Sequence, residues 1–175
     1  MKIQLVIQTI NQMQADGVIT SYAIGGAVGA TFYLEPVATF DMDVFVGFKA
    51  EPDSLLGSPQ PICDYLRSLG YPMKGEYVVI GDWPVQILAP AGPLGEEALS
   101  EAGEKDVEGT PTRVFTAEHL AAIALQTGRS KDKTRLLQFL ETKSLNMLRF
   151  HDILQRHELA DRWRQFQLQF QEATS

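Results

Sequence analysis

The sequence predicts an α/β fold: strands alternate with helices over residues 1–116, and a helical extension over 117–175 packs on that core. Three observations carry the prediction. Short runs rich in β-branched and aromatic residues, at 21–24, 42–48, 75–80, 84–90 and 112–115, are separated by stretches of helical period. From Thr116 onward the apolar spacing is helical throughout. No internal repeat and no linker-like composition divides the 175 residues, and with 45% of them apolar the chain is large enough for one buried core.

Taken in order, Ile3, Val6, Ile7, Ile10 and Met13 mark residues 2–15 as an amphipathic helix that Asp16-Gly17 ends. Strand one, 21–24, leads through Gly25-Gly26 to a helix over 27–34, which Glu35-Pro36 stops. Strand two is 42–48. Residues 59–69 form a helix with proline near its start and Gly70 just past its end. The runs 75–80 and 84–90, joined by Gly81-Asp82-Trp83, predict a hairpin. Residues 91–111, rich in Gly, Glu and Pro, are expected to be a mobile connection holding a helix near 94–102. Glu101, Glu104, Asp106 and Glu108 give that connection a solvated acidic face. After a strand at 112–115, Thr116 caps a helix to about Gln126 that Thr127-Gly128 breaks. Ser130 is the expected N-cap of the next helix, to about Lys143. Helices over 145–157 and 159–172 complete the chain. Their stripe Leu159, Trp163, Phe166 and Phe170 is either core or the face of a homodimer.

Composition narrows the function classes. A net charge of −7 argues against a broad electrostatic grip on nucleic acid. The basic residues that are present gather after Arg113, where one face of the C-terminal third is expected to be positive. One cysteine, Cys63, excludes a disulfide framework. No apolar run approaches the ~20 residues that cross a bilayer, so a cytoplasmic protein with no membrane partner is expected. His119, His151 and His157 lack metal-site spacing.

The chemistry gathers between Tyr22 and Phe48. Asp41 and Asp43 are two apart in a run of strand formers, which puts both carboxylates on one face and Met42, Val44 and Val46 on the other. Two adjacent acids repel unless a cation lies between them, and carboxylate oxygens are the hard ligands that Mg²⁺ and Mn²⁺ prefer. Gly25 and Gly26 mark a strand-to-helix turn where a backbone without Cβ atoms admits a ligand. A helix starting there offers free N–H groups to phosphate. Together the two features describe a site for a metal-bound nucleoside triphosphate. A dinucleotide-binding fold is the competing reading. It fits poorly, because Ile24 occupies the first glycine position of G-x-G-x-x-G and the acids begin their strand instead of ending it.

Gly25-Gly26 followed by Asp41-Met42-Asp43 resembles the signature of the DNA polymerase β nucleotidyltransferase superfamily. More narrowly, the chain resembles its small bacterial members grouped with the abortive-infection type IV (AbiEii) toxins. Gly128 to Leu136, GRSKDKTRL, is similar to the Arg-x-Lys-Asp motif of that group, and the resemblance covers roughly residues 20–142. It implies a nucleotidyltransferase-type mixed β-sheet with flanking helices. Asp41 and Asp43 would bind Mg²⁺ or Mn²⁺, Lys131 would balance the triphosphate, and Arg129 and Arg135 would be auxiliaries. A nucleotide would pass to an RNA, protein or small-molecule acceptor, and an antitoxin partner comes with the toxin likeness. At one position the chain departs from the pattern. The third carboxylate expected on a neighbouring strand is replaced by Gln86, in Val85-Gln86-Ile87, which neither accepts a proton nor draws a second metal strongly. Glu76 and Asp82 stand on the same hairpin. The resemblance therefore leaves two readings, an active transferase and a catalytically lapsed nucleotide-binding or interaction module in which Gln86 lines the nucleotide site.

Overall fold

A computed structural model describes residues 2–49 and 58–174. Helix α1, Lys2–Ala15, precedes strand β1, Ile19–Ile24, and the short α2, Gly26–Ala30, joins it to β2, Met42–Phe48. Helix α3, Gln60–Ser68, leads to β3, Met73–Lys74, β4, Tyr77–Ile80, and β5, Trp83–Leu88. Helix α4, Gly92–Ser100, is followed by the hairpin of β6, Gly103–Val107, and β7, Thr110–Val114. Four helices close the chain: α5, Ala117–Thr127, α6, Ser130–Glu141, α7, Met147–Arg156, and α8, Ala160–Thr174.

The strands form one mixed sheet of seven, in the order β3-β4-β5-β2-β1-β7-β6. The central pair β1 and β2 is antiparallel, while β2 with β5 and β1 with β7 are parallel. Alternation gives the sheet two unlike faces. Met42, Val44, Val46, Val78, Ile80 and Val85 point to one face, where Ile7, Ile10 and Met13 of α1 and Ile62 and Leu66 of α3 bury them. On the other face Ala23 and Phe115 meet α4 to α8 in a second core built on Leu120, Phe139, Phe150 and Trp163. Leu159, Trp163 and Phe166 of the α8 stripe are buried there, with the Trp163 ring edge-on to Phe150, while Phe170 is 37% exposed.

Several expectations are corrected. The charged stretch before β7 is an ordered hairpin, turning at Glu108-Gly109 with both residues at positive φ and closing the edge of the sheet. Its acidic residues do face solvent, because an edge strand meets protein on few sides and tolerates charge. Helix α2 ends at Ala30 and continues to Leu34 only as turns. The short strand β3 was not foreseen. Arg129, not Ser130, caps α6, because the Asp132 carboxylate reaches back to the Arg129 N–H at 3.3 Å. Several basic residues of the C-terminal third are paired with acids. Arg149 and Arg156 turn to Glu101 and Glu97 of α4, and Arg164 pairs with Asp161 in its own helix. Among the described residues no helix is long and apolar enough to cross a membrane.

Candidate active site

Register decides which side chains share the open sheet face. In the parallel ladder Met42 pairs with Val85 and Asp43 with Gln86. Met42 and Val85 are fully buried toward α1, so Asp43 and Gln86 stand side by side on the opposite face. Val78 pairs with Val85 in the antiparallel ladder, and one step along it Tyr77 comes level with Gln86 on that same face. Asp41 lies just before β2. These four, with Gly26 and Glu76, form one wall of a cleft of about 710 Å³. The first turns of α6 form the facing wall, with Arg129, Lys131 and Arg135. The structure thus brings Gly26, Asp41, Asp43, Gln86 and Lys131 to one cleft.

The two glycines have different causes. Gly26 has φ of +57°, and a Cβ there would fall inside the Asp43 carboxylate, so only a bare backbone lets that acid take its place. At Gly25 a Cβ would come to 2.6 Å from the Phe45 ring and 3.0 Å from Phe115. Its N–H already donates to the Asp43 carbonyl at 3.0 Å. Gly25 therefore packs beneath the cleft that Gly26 lines. With only five residues, α2 also has too few aligned peptides for a strong dipole at its start.

Opposite charges face each other across the gap. Burial pushes the Asp43 carboxyl above its ordinary value and the neighbouring Asp41 pushes it further, while Lys131, Arg135 and Arg129 pull it back. Among the described residues no donor reaches the Asp43 carboxylate. Across the cleft the cations are held in place. Asp132, 2% exposed, accepts from Arg129 Nε at 2.7 Å and Nη2 at 3.3 Å, and Arg135 Nη1 lies 3.8 Å from its other side. Burial lowers the pKa of the Arg135 guanidinium, and the bond to Asp132 raises that of Arg129. The clamp on Asp132 was not foreseen from the sequence. Arginines three residues to either side of it were the available signal for a clamp. Tyr77 was missed too. Partial desolvation and the carboxylates of Asp41 and Glu76 push its phenol above the ordinary value.

A second acidic group lies elsewhere. Glu97, Glu101 and His119 bring donor atoms within 4.8 Å of one another, so three metal-ligand types do converge despite the spacing of the histidines. Other side chains already engage them. Glu97 binds His157 and Arg156 at 2.5 Å each and His119 at 3.3 Å, and Glu101 binds Arg149 at 3.1 Å. A divalent ion would have to displace two guanidinium groups, so this cluster ties α4, α5 and α7 together and is no cation site. By contrast, Asp41 and Asp43 offer hard oxygen ligands, Asp43 has no hydrogen-bond donor among the described residues, and the donor set fits a divalent cation.

The sequence matches no family model and no curated protein. Solved structures do resemble it. An antigenic nucleotidyltransferase-like protein from Paracoccidioides brasiliensis superposes with a TM-score of 0.59 at 12% identity, over 81% of this chain and 75% of that one. ANT(2'')-Ia in complex with adenylyl-2''-tobramycin gives 0.55 at 15% identity, over 93% of this chain and 99% of that one. The solution structure of the same antibiotic-resistance factor gives 0.51 at 16% identity, over the whole of both chains. At these identities the likeness shows the fold.

Proposed function

We propose, from this nucleotidyltransferase-like fold, that the chain binds a nucleoside triphosphate with Mg²⁺ or Mn²⁺ and transfers its nucleotide to an acceptor hydroxyl. One observation carries the reading: a pair of acids, with no donor on Asp43 among the described residues, faces Lys131 and two clamped arginines across a cleft of nucleotide size. Asp41 and Asp43 would hold the cation. When bound, it neutralises charge that builds on the phosphates.

The remaining roles belong to the chain itself. Lys131 reaches the outer phosphates as a point charge, and Arg129 and Arg135 present guanidinium forks that suit phosphate oxygens. Asp132 fixes both forks without entering the cleft as an acid, since its carboxylate is already engaged. Gln86, beside Asp43, orients the nucleotide through its amide and leaves the metal site with two acids. The Arg129-x-Lys131-Asp132 arrangement supports a narrower placement beside the type IV abortive-infection toxins, with an antitoxin as partner.

Gln86 also favours a second reading, in which the chain binds the triphosphate and performs no transfer. Incubation of purified protein with Mg²⁺ and each α-labelled triphosphate, with and without cellular RNA and protein, separates the two. Label on any acceptor establishes the transferase. Binding with no labelled product leaves the nucleotide-binding module, and absence of binding refutes both.

A further inference from the structure

The cleft carries hydroxyl groups of its own. Thr39, Tyr77 and Thr134 supply them. Thr39 donates to the Asp41 carbonyl and Thr134 to the Ser130 carbonyl, each at 3.1 Å, so both are spent on the backbone. The Tyr77 phenol faces side-chain carboxylates instead, those of Asp41 and Glu76. The other four tyrosines lie outside the cleft and bond elsewhere: Tyr22 to Asn11, Tyr33 to the Phe115 carbonyl, Tyr65 to Asp16, and Tyr71 with Thr9.

The fold fixes where this phenol stands. Lys74 pairs with Tyr77 across the Gly75-Glu76 turn, and Val78 pairs with Val85, both of these valines being buried on the opposite face. Alternation therefore sends Tyr77 into the cleft from the wall that holds the acids. Arg129, Lys131 and Arg135 stand on the wall facing it. An acceptor already held beside the acids costs no association entropy, and it approaches from the side opposite the cations.

We propose that the Tyr77 hydroxyl is itself an acceptor, so that the chain attaches one nucleotide to its own cleft. The proposal rests on the transferase reading above. With the outer phosphates on the α6 cations, the α-phosphorus faces the acid wall and the pyrophosphate lies on its far side, the in-line arrangement that displacement needs. The phenolic oxygen forms a bond to the α-phosphorus, and the bond from that phosphorus to the bridging oxygen breaks. Pyrophosphate leaves with the electron pair, and the phenolic proton passes to the Glu76 carboxylate, a duty that the neutral Gln86 leaves open. The product is a tyrosyl phosphodiester. Its nucleotide fills the cleft, so a modified chain accepts no second triphosphate.

The full chain incubated with Mg²⁺ and each α-labelled triphosphate, then read by intact mass and peptide mapping, tests this. One nucleoside monophosphate per chain is expected, on the peptide that carries Tyr77, at a rate per molecule that dilution of the protein does not change. Tyr77→Phe keeps the ring, with folding checked by urea unfolding, and should abolish the label. Glu76→Gln should slow labelling about 10²-fold. Label on another residue, label that persists in Tyr77→Phe, or a rate per molecule that rises with protein concentration overturns the proposal. So does an unlabelled chain that binds triphosphate in calorimetry. Absence of triphosphate binding overturns the proposed function itself.

Discussion

Two acidic clusters on this molecule are built in opposite ways. Around Glu97 each carboxylate oxygen has a hydrogen-bond partner, and although burial alone would raise its pKa, hydrogen bonds from His157, Arg156 and His119 hold it down at about 2. Around Asp43 burial and a second acid raise the pKa, and its balancing cations stand across a cleft. One arrangement spends its charges on joining helices. The other leaves Asp43 without a donor among the described residues, the pattern by which perturbed acids at functional sites differ from structural ion pairs.

The contrast is sharpened most by Gln86→Asp. A third acid beside Asp43 should tighten divalent-metal binding, and if the rest of the site is competent, transfer should rise by ~10² to 10⁴-fold where chemistry limits it. A slower variant would show that another group already takes the proton. Lys131→Ala comes next. It should weaken triphosphate binding by roughly 1–3 kcal/mol and monophosphate binding by less, measured by titration of both ligands. Equal losses would place Lys131 outside the phosphate site.

The smallest effect is expected at the satisfied cluster. A carboxyl pKa lowered from 4.5 to about 2 on folding stabilises the protein above pH 4.5, and that contribution fades as pH falls toward 2. Glu97→Gln should therefore lower stability at pH 7 by about 1–2 kcal/mol, discounted for solvent screening. The gap between variant and wild type should narrow below pH 4.5 in urea unfolding. A gap that persists there would mean that packing, not charge, ties α4 to α5 and α7. Burial lowers the pKa of His119 against the pull of Glu97, so its contribution is lost in the same direction, as pH falls through 6.5.

How much of this was legible follows from distance along the chain. The Asp43 face was readable because Met42, Val44 and Val46 alternate with it within one strand, and the α6 cations because they fall in two turns. Gln86 was found through a likeness to a strand triplet, and the parallel register then set it beside Asp43. The Glu97 cluster was illegible, since His119 and His157 lie 22 and 60 residues away and meet only through packing of three helices. Gly25 and Gly26 were legible only as a turn. A glycine pair marks close approach without saying of what, and here Phe45 and the Asp43 carboxylate make that approach. The β6–β7 hairpin was hidden because its charges match an exposed edge as well as a loop.

Calorimetric titration of Mn²⁺, then of Mg²⁺ with triphosphate, into wild type and the Asp41→Asn, Asp43→Asn double variant tests the central claim most directly. Wild type should bind both and the double variant neither. Unfolding without metal should show the variant at least as stable, because a repelling pair has been neutralised. Undiminished binding in the double variant, or a large loss of its stability, would contradict the account and assign these acids to the fold.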